Sequence, residues 1–102
     1  MLQIKPSCEN CAKELPAEST EACICSYECT FCRECVAGIL ENVCPNCGGG
    51  FVPRPIRPKN EWREGVSRRR QPASQDAVVK PVDHAKHGEF ATKIRNILPE
   101  ER

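Results

Sequence analysis

Nine cysteines, at positions 8, 11, 23, 25, 29, 32, 35, 44 and 47, fall in the first half of the chain, and residues 48–102 hold none. Their intervals are those of metal ligands: Cys8-Glu9-Asn10-Cys11, then Cys25-x3-Cys29-x2-Cys32-x2-Cys35, then Cys44-Pro45-Asn46-Cys47. A C-x2-C pair suits a knuckle, a tight turn that points two thiolates and nearby backbone N–H groups at one tetrahedral ion. Gly48-Gly49-Gly50 follows the last pair and can take the positive φ that such a turn requires. Four paired units make eight thiolates, enough for two Zn²⁺ ions in Cys₄ sites, with one cysteine left over. Spacing alone leaves the pairing open, because two sequential zinc ribbons and two interleaved sites would use the same residues. It also leaves two registers: Cys23 spare, or Cys23, Cys25, Cys29 and Cys32 as the middle ligands with Cys35 spare.

Other cysteine chemistries fit less well. A secreted disulfide scaffold expects an even count and a basic-then-apolar leader, whereas nine is odd and Met1-Leu2-Gln3-Ile4-Lys5-Pro6 lacks that pattern. An iron–sulfur protein, suggested by Cys29-x2-Cys32-x2-Cys35, is a less favoured alternative, because the next interval is x8 where a ferredoxin motif has x3. Catalytic zinc keeps an open position for water, and eight thiolates close both sites. No His/Glu pair stands among the ligands, and His84 and His87, at i, i+3 spacing, read as solvent-facing. The chain therefore reads as a metal-binding protein and not as an enzyme.

The elements that must position these thiols are short. In 102 residues the aromatics are few (Tyr27, Phe31, Phe51, Trp62 and Phe90), and a module below roughly 70–80 residues usually needs disulfides or metal to hold it. Ala22–Phe31 reads as a β-hairpin, with Ile24, Tyr27 and Phe31 to pack. Arg33–Asn42 reads as a short helix, because Val36, Ile39, Leu40 and Val43 fall at i, i+3, i+4 and i+7 and Pro45 stops it. Phe51-Val52 supplies a last short strand. These apolar residues are expected to form a small core under the metal sites.

Charge divides the chain as cysteine does. Residues 1–47 sum to −4 and residues 48–102 to +5, giving the net +1. Two Cys₄ zinc sites, each formally −2, would bring the loaded protein near −3. Pro53–Lys59, Pro-Arg-Pro-Ile-Arg-Pro-Lys, is proline-punctuated and should be extended. Residues 60–81 are mostly polar and include Arg68-Arg69-Arg70, so disorder is expected. Glu89–Leu98 is expected to form a helix with Phe90, Ile94, Ile97 and Leu98 on one side, stopped by Pro99. No apolar run approaches the ~20 residues that span a bilayer, and the cytoplasm is the default location.

The ligand string resembles that of RING fingers, in which Cys8, Cys11, Cys25, Cys29, Cys32, Cys35, Cys44 and Cys47 would be ligands one to eight, Cys29 standing where histidine is usual. That resemblance implies a small zinc-stabilised α+β cross-brace with one hairpin and one short helix. It assigns Cys8, Cys11, Cys32 and Cys35 to one ion and Cys25, Cys29, Cys44 and Cys47 to the other. It also favours Cys23 as the spare, because Thr30-Phe31-Cys32-Arg33-Glu34-Cys35 then stands where RINGs carry that phrase. More closely still, Cys-Glu-Asn-Cys at 8–11, Glu-Leu-Pro at 14–16, Ile-Cys-Ser-Tyr-Glu-Cys-Thr-Phe-Cys at 24–32 and Val-Cys-Pro-Asn-Cys-Gly-Gly at 43–49 resemble a family of small bacterial proteins designated domain of unknown function 1272.

The expected organisation is a RING-like double-zinc module over 1–52, a Pro/Arg-rich flexible linker over 53–82 and a tail with a short amphipathic helix over 83–102. The expected role is protein–protein interaction, without a small-molecule substrate or a membrane. Nucleic-acid binding through Arg54, Arg57, Lys59 and Arg68–Arg70 is the alternative. A ubiquitin-ligase role fits poorly: ligase RINGs usually carry an aliphatic residue after the first ligand, where this chain has Glu9, and many carry a basic residue after the last, where it has Gly48.

Overall fold

The computed structural model describes residues 1–102. Strand β1 (Ala22–Ile24) lies between β2 (Thr30–Cys32) and β3 (Val52–Pro53) in a three-stranded antiparallel sheet. The register pairs Cys23 with Phe31 and with Pro53, and Ile24 with Thr30 and with Val52. The hairpin expected over Ala22–Phe31 is thus present, and its loop carries Cys25 and Cys29. Helix α1 (Arg33–Gly38) follows β2 without a gap. It is shorter than the periodicity suggested, because Glu41 and Asn42 adopt left-handed φ of 53° and 57° and turn the chain back. Leu40 and Val43 are nonetheless fully buried, so a turn delivers them where a helix was expected to.

The core beneath the sheet consists of Cys8, Leu15, Ala22, Cys25, Cys29, Phe31, Cys32, Cys35, Leu40 and Cys44, with Val36, Ile39, Phe51 and Val82 packed against it. Six of those ten residues are cysteines, so most of the core is also the candidate metal-binding set. Phe31 and Phe51 meet edge to face at 5.4 Å. Tyr27, expected to pack, is 76% exposed at the hairpin tip.

The second half departs from expectation most. Residues 53–102 do not form a disordered tail: the stretch from Arg54 to Val82 bonds to the N-terminal segment, and His87, Arg95 and Arg102 bond to residues 40–48. The Arg54 guanidinium is buried and donates to the carbonyls of Lys5, Leu15 and Pro16 at 2.9–3.1 Å. Arg57 donates to the carbonyls of Leu2 and Gln71. Ser74 N donates to Ile4 O, Lys80 N to Glu9 O and Val82 N to Asn10 Oδ1, so this stretch runs parallel to residues 4–10. Low apolar content argues for disorder only if the backbone and arginine donors find no acceptors, and here the module's carbonyls supply them.

Helix α2 spans His84–Ile94 rather than Glu89–Leu98. Its start follows from Asp83, whose side chain accepts from Lys86 N at 3.1 Å and caps the first turn. Ile97 and Leu98 lie beyond its end and are exposed. His87, expected in solvent, is buried, with Nε2 3.0 Å from Leu40 O, whereas His84 is exposed. No helix is long and apolar enough to cross a membrane.

Candidate metal centres

Each cysteine pair is placed by a different local device. Cys8 and Cys11 sit in a turn in which Ala12 N donates to Cys8 O and Cys8 N to Lys13 O. Cys44 and Cys47 repeat that pattern, with Gly48 N donating to Cys44 O and Cys44 N to Gly49 O. In both turns the residue after the second cysteine is left-handed, Ala12 at φ 65° and Gly48 at φ 78°. Cys25 and Cys29 close the hairpin loop, where Glu28 takes φ 66°. Cys32 occupies the residue before α1 and Cys35 lies in its first turn.

These devices bring alternate pairs together. The sulfurs of Cys8, Cys11, Cys32 and Cys35 all lie within 4.8 Å of one another. Cys11 Sγ and Cys32 Sγ are 3.7 Å apart. Four thiolates at the usual zinc–sulfur distance would stand about 3.8 Å apart, so the first set fits a tetrahedral ion. Cys25, Cys44 and Cys47 form the second group under the same limit. Cys29, the other cysteine of the hairpin loop, is not within 4.8 Å of all three sulfurs. Cys23 belongs to neither group and is a buried thiol on β1.

The electrostatics favour a cation at each cluster. Burial pushes the thiols of Cys29, Cys32, Cys35 and Cys44 up, and neighbouring cysteines add to the rise. For Cys35 and Cys44 the rise goes well beyond the ordinary thiol range. Cys11 moves the other way: burial raises it, but hydrogen bonds with Lys13, Cys8, Cys32 and Cys35 outweigh burial and lower it. Several thiolates packed this closely repel one another and lose water, and an ion bound among them removes both penalties.

Donors already point at the sulfurs. Asn10 N and Cys11 N donate to Cys8 Sγ at 3.4 and 3.5 Å, Tyr27 N to Cys25 Sγ at 3.4 Å, and Gly49 N to Cys47 Sγ at 3.4 Å. Two asparagine side chains reach across the clusters: Asn10 Nδ2 donates to Cys35 Sγ and Asn46 Nδ2 to Cys29 Sγ, both at 3.3 Å. Such outer-sphere donors fix ligand orientation and disperse thiolate charge. Neither asparagine is given a role by the cysteine spacing. The signal was there, since each stands third in a Cys-x-Asn-Cys run.

Glu9 also has an unforeseen task. Its carboxylate is buried, accepts from Thr30 N and pairs with Lys5 Nζ at 3.0 Å, which ties the first turn to β2.

Comparison with known proteins agrees with the cysteine pattern. The family described as "Protein of unknown function (DUF1272)" matches residues 1–57. An uncharacterized protein of Rhizobium meliloti (strain 1021) is 44% identical over 81 residues, which cover 79% of this chain and 89% of the relative. No solved structure matches the chain. With more than half of its length under the family match, the chain belongs to the family DUF1272.

Proposed function

We propose that the chain is a RING-like module held together by two structural Zn²⁺ ions, one on Cys8, Cys11, Cys32 and Cys35 and the other on Cys25, Cys29, Cys44 and Cys47, and that it serves protein–protein interaction. The observation that carries the metal reading is the gathering of Cys8, Cys11, Cys32 and Cys35, and of Cys25, Cys44 and Cys47 with Cys29 beside them, within a core that has few large apolar side chains. Zinc suits these sites because soft thiolates in tetrahedral array are its preferred structural environment. The reading holds no catalytic step, since four thiolates leave an ion no open position. All nine cysteines are free thiols, which suits a reducing compartment such as the cytoplasm.

The partner reading rests on what the tail leaves uncovered. Ile97 and Leu98 are exposed past the end of α2. The nucleic-acid alternative is weakened because four of its five arginines are already engaged: Arg54 and Arg57 hold backbone carbonyls, Arg68 pairs with Glu18 and Arg70 with Glu61. Ligase-type docking is weakened in the same way, because Glu9 is buried and Gly48 lies under Phe90, Ile94 and Arg102.

Native mass spectrometry of the protein purified without added metal tests the central reading. Two zinc ions per chain are expected. One or none, or iron with labile sulfide, would overturn it.

A further inference from the structure

Asn10 stands where the first cysteine cluster meets the C-terminal half. Its backbone N–H donates to Cys8 Sγ and its side-chain Nδ2 to Cys35 Sγ. Its Oδ1 accepts from Val82 N at 2.9 Å, 72 residues away in sequence. The orientation of the amide is fixed by this arrangement, because a backbone N–H must face the oxygen, which leaves the NH₂ group facing sulfur. One residue earlier, Glu9 O accepts from Lys80 N at 2.7 Å. Asn46, its counterpart in the last cysteine pair, donates to Cys29 in the same way but is itself exposed, so only Asn10 is buried between a cluster and the tail.

The docked segment continues from that point. Val82 packs on the core, Asp83 caps α2, and His87 reaches Leu40 O. Phe90 and Ile94 come to rest against Gly48, and Arg102 donates to the carbonyls of Asn42 and Gly48. An asparagine held by thiolates presents its oxygen in one place. Without an ion to fix Cys8 and Cys35 that preorganisation is lost, and the entropy of ordering the segment is no longer offset.

We propose that Asn10 is a positioning residue that links occupancy of the first metal site to docking of residues 80–94, making this segment a metal-dependent strap. Linkage is reciprocal: if the ion favours the docked strap, the docked strap must hold the ion more tightly. Loss of the ion would free α2 and open the cleft of about 340 Å³ that Phe31, Val82 and Phe90 line between module and strap. The proposal rests on the reading that the first cluster binds zinc. A zinc stoichiometry below two in the wild-type protein would defeat that reading before any variant is compared.

The test uses the full chain reconstituted with two equivalents of Zn²⁺, following zinc transfer to an excess of chelator and amide exchange at Lys80 and Val82. Val82→Pro removes the N–H that Asn10 accepts and touches no ligand; it should release one of the two ions about 10-fold faster and leave the other unchanged. Asn10→Asp keeps the oxygen acceptor but sets an anion against Cys35. It should speed release of the same ion while Val82 stays protected for as long as that ion is bound. Asn46→Asp should speed release of the other ion and leave Lys80 and Val82 protected. Val82→Pro releasing both ions at the wild-type rate would overturn the link. In the wild type, protection at Val82 should fall in step with loss of one ion, and protection that survives removal of both would overturn it equally.

Discussion

At the residue scale, the two outer cysteine pairs form a natural comparison, because the same hydrogen-bond pattern is closed by alanine in one and glycine in the other. Ala12 holds a left-handed φ of 65° that costs an L-residue roughly 1 kcal/mol, whereas Gly48 holds φ 78° without that cost. A Cβ at Gly48 would meet Ile94 Cδ1 and Phe90 Cζ at 3.5 Å, an ordinary contact, so backbone conformation alone should set the penalty. Gly48→Ala should therefore destabilise the zinc-loaded protein by about 1 kcal/mol and Ala12→Gly should stabilise it by a similar or smaller amount. Denaturant unfolding at fixed zinc checks both. Equal effects of the same sign would show that the two turns differ in something other than φ.

At the element scale, β3 is only two residues long, and the residue after it does much of the fastening. Arg54 N donates to Ala22 O, while its guanidinium holds three carbonyls of the N-terminal segment. Burial lowers its pKa, yet a guanidinium remains charged at any ordinary pH. Arg54→Met should cost about 2–4 kcal/mol, because buried carbonyls lose a charged donor and the methionine restores only packing. Arg54→Lys should recover a minor part, since a single ammonium cannot fork to three acceptors. Unfolding midpoints of the zinc-loaded variants measure the order wild type, Lys, Met, and a methionine variant as stable as wild type would show that Arg54 is incidental.

At the scale of the whole molecule, the chain is extended, 46 × 27 × 18 Å, with an accessible surface of 6655 Å². A compact protein of its mass would expose about 5,800 Å². So much surface on a core of few large apolar residues implies that the cysteine clusters carry the stability, and stripping the metal should unfold the chain. Small-angle scattering should find a radius of gyration near the 14.5 Å of the Cα trace with zinc bound. Chelation should expand it toward about 30 Å, and a chelated protein that stays compact would show that the apolar core suffices. The same scale governs the proposed partner binding. Leu98 is 62% exposed, so Leu98→Asp should leave two zinc ions and the fold intact while abolishing a partner contact built on that end of the tail. Retained binding after Leu98→Asp, with salt-sensitive loss when Arg68–Arg70 are neutralised, would turn the reading toward nucleic acid.

Much of the module was legible in residue order, because cysteine spacing, the hairpin around Cys25 and Cys29, and the apolar period after Cys35 are local properties. Charge and composition also located the boundary between a cysteine-rich half and a basic half. Which cysteines meet was a tertiary matter. Interleaved and sequential pairings use the same intervals, and it is the placement of α1 against the first turn that sets Cys32 and Cys35 beside Cys8 and Cys11 rather than elsewhere. The fate of residues 53–102 was likewise invisible, for a polar, proline-punctuated stretch reads as disorder until its acceptors are known. Arg54, Arg57, Val82 and His87 find them on Lys5, Leu2, Asn10 and Leu40, between 47 and 72 residues away, where no periodicity reaches. The sequence alone determined a cysteine framework fit for two ions; only the tertiary structure decided that the second half of the chain folds back to cover it.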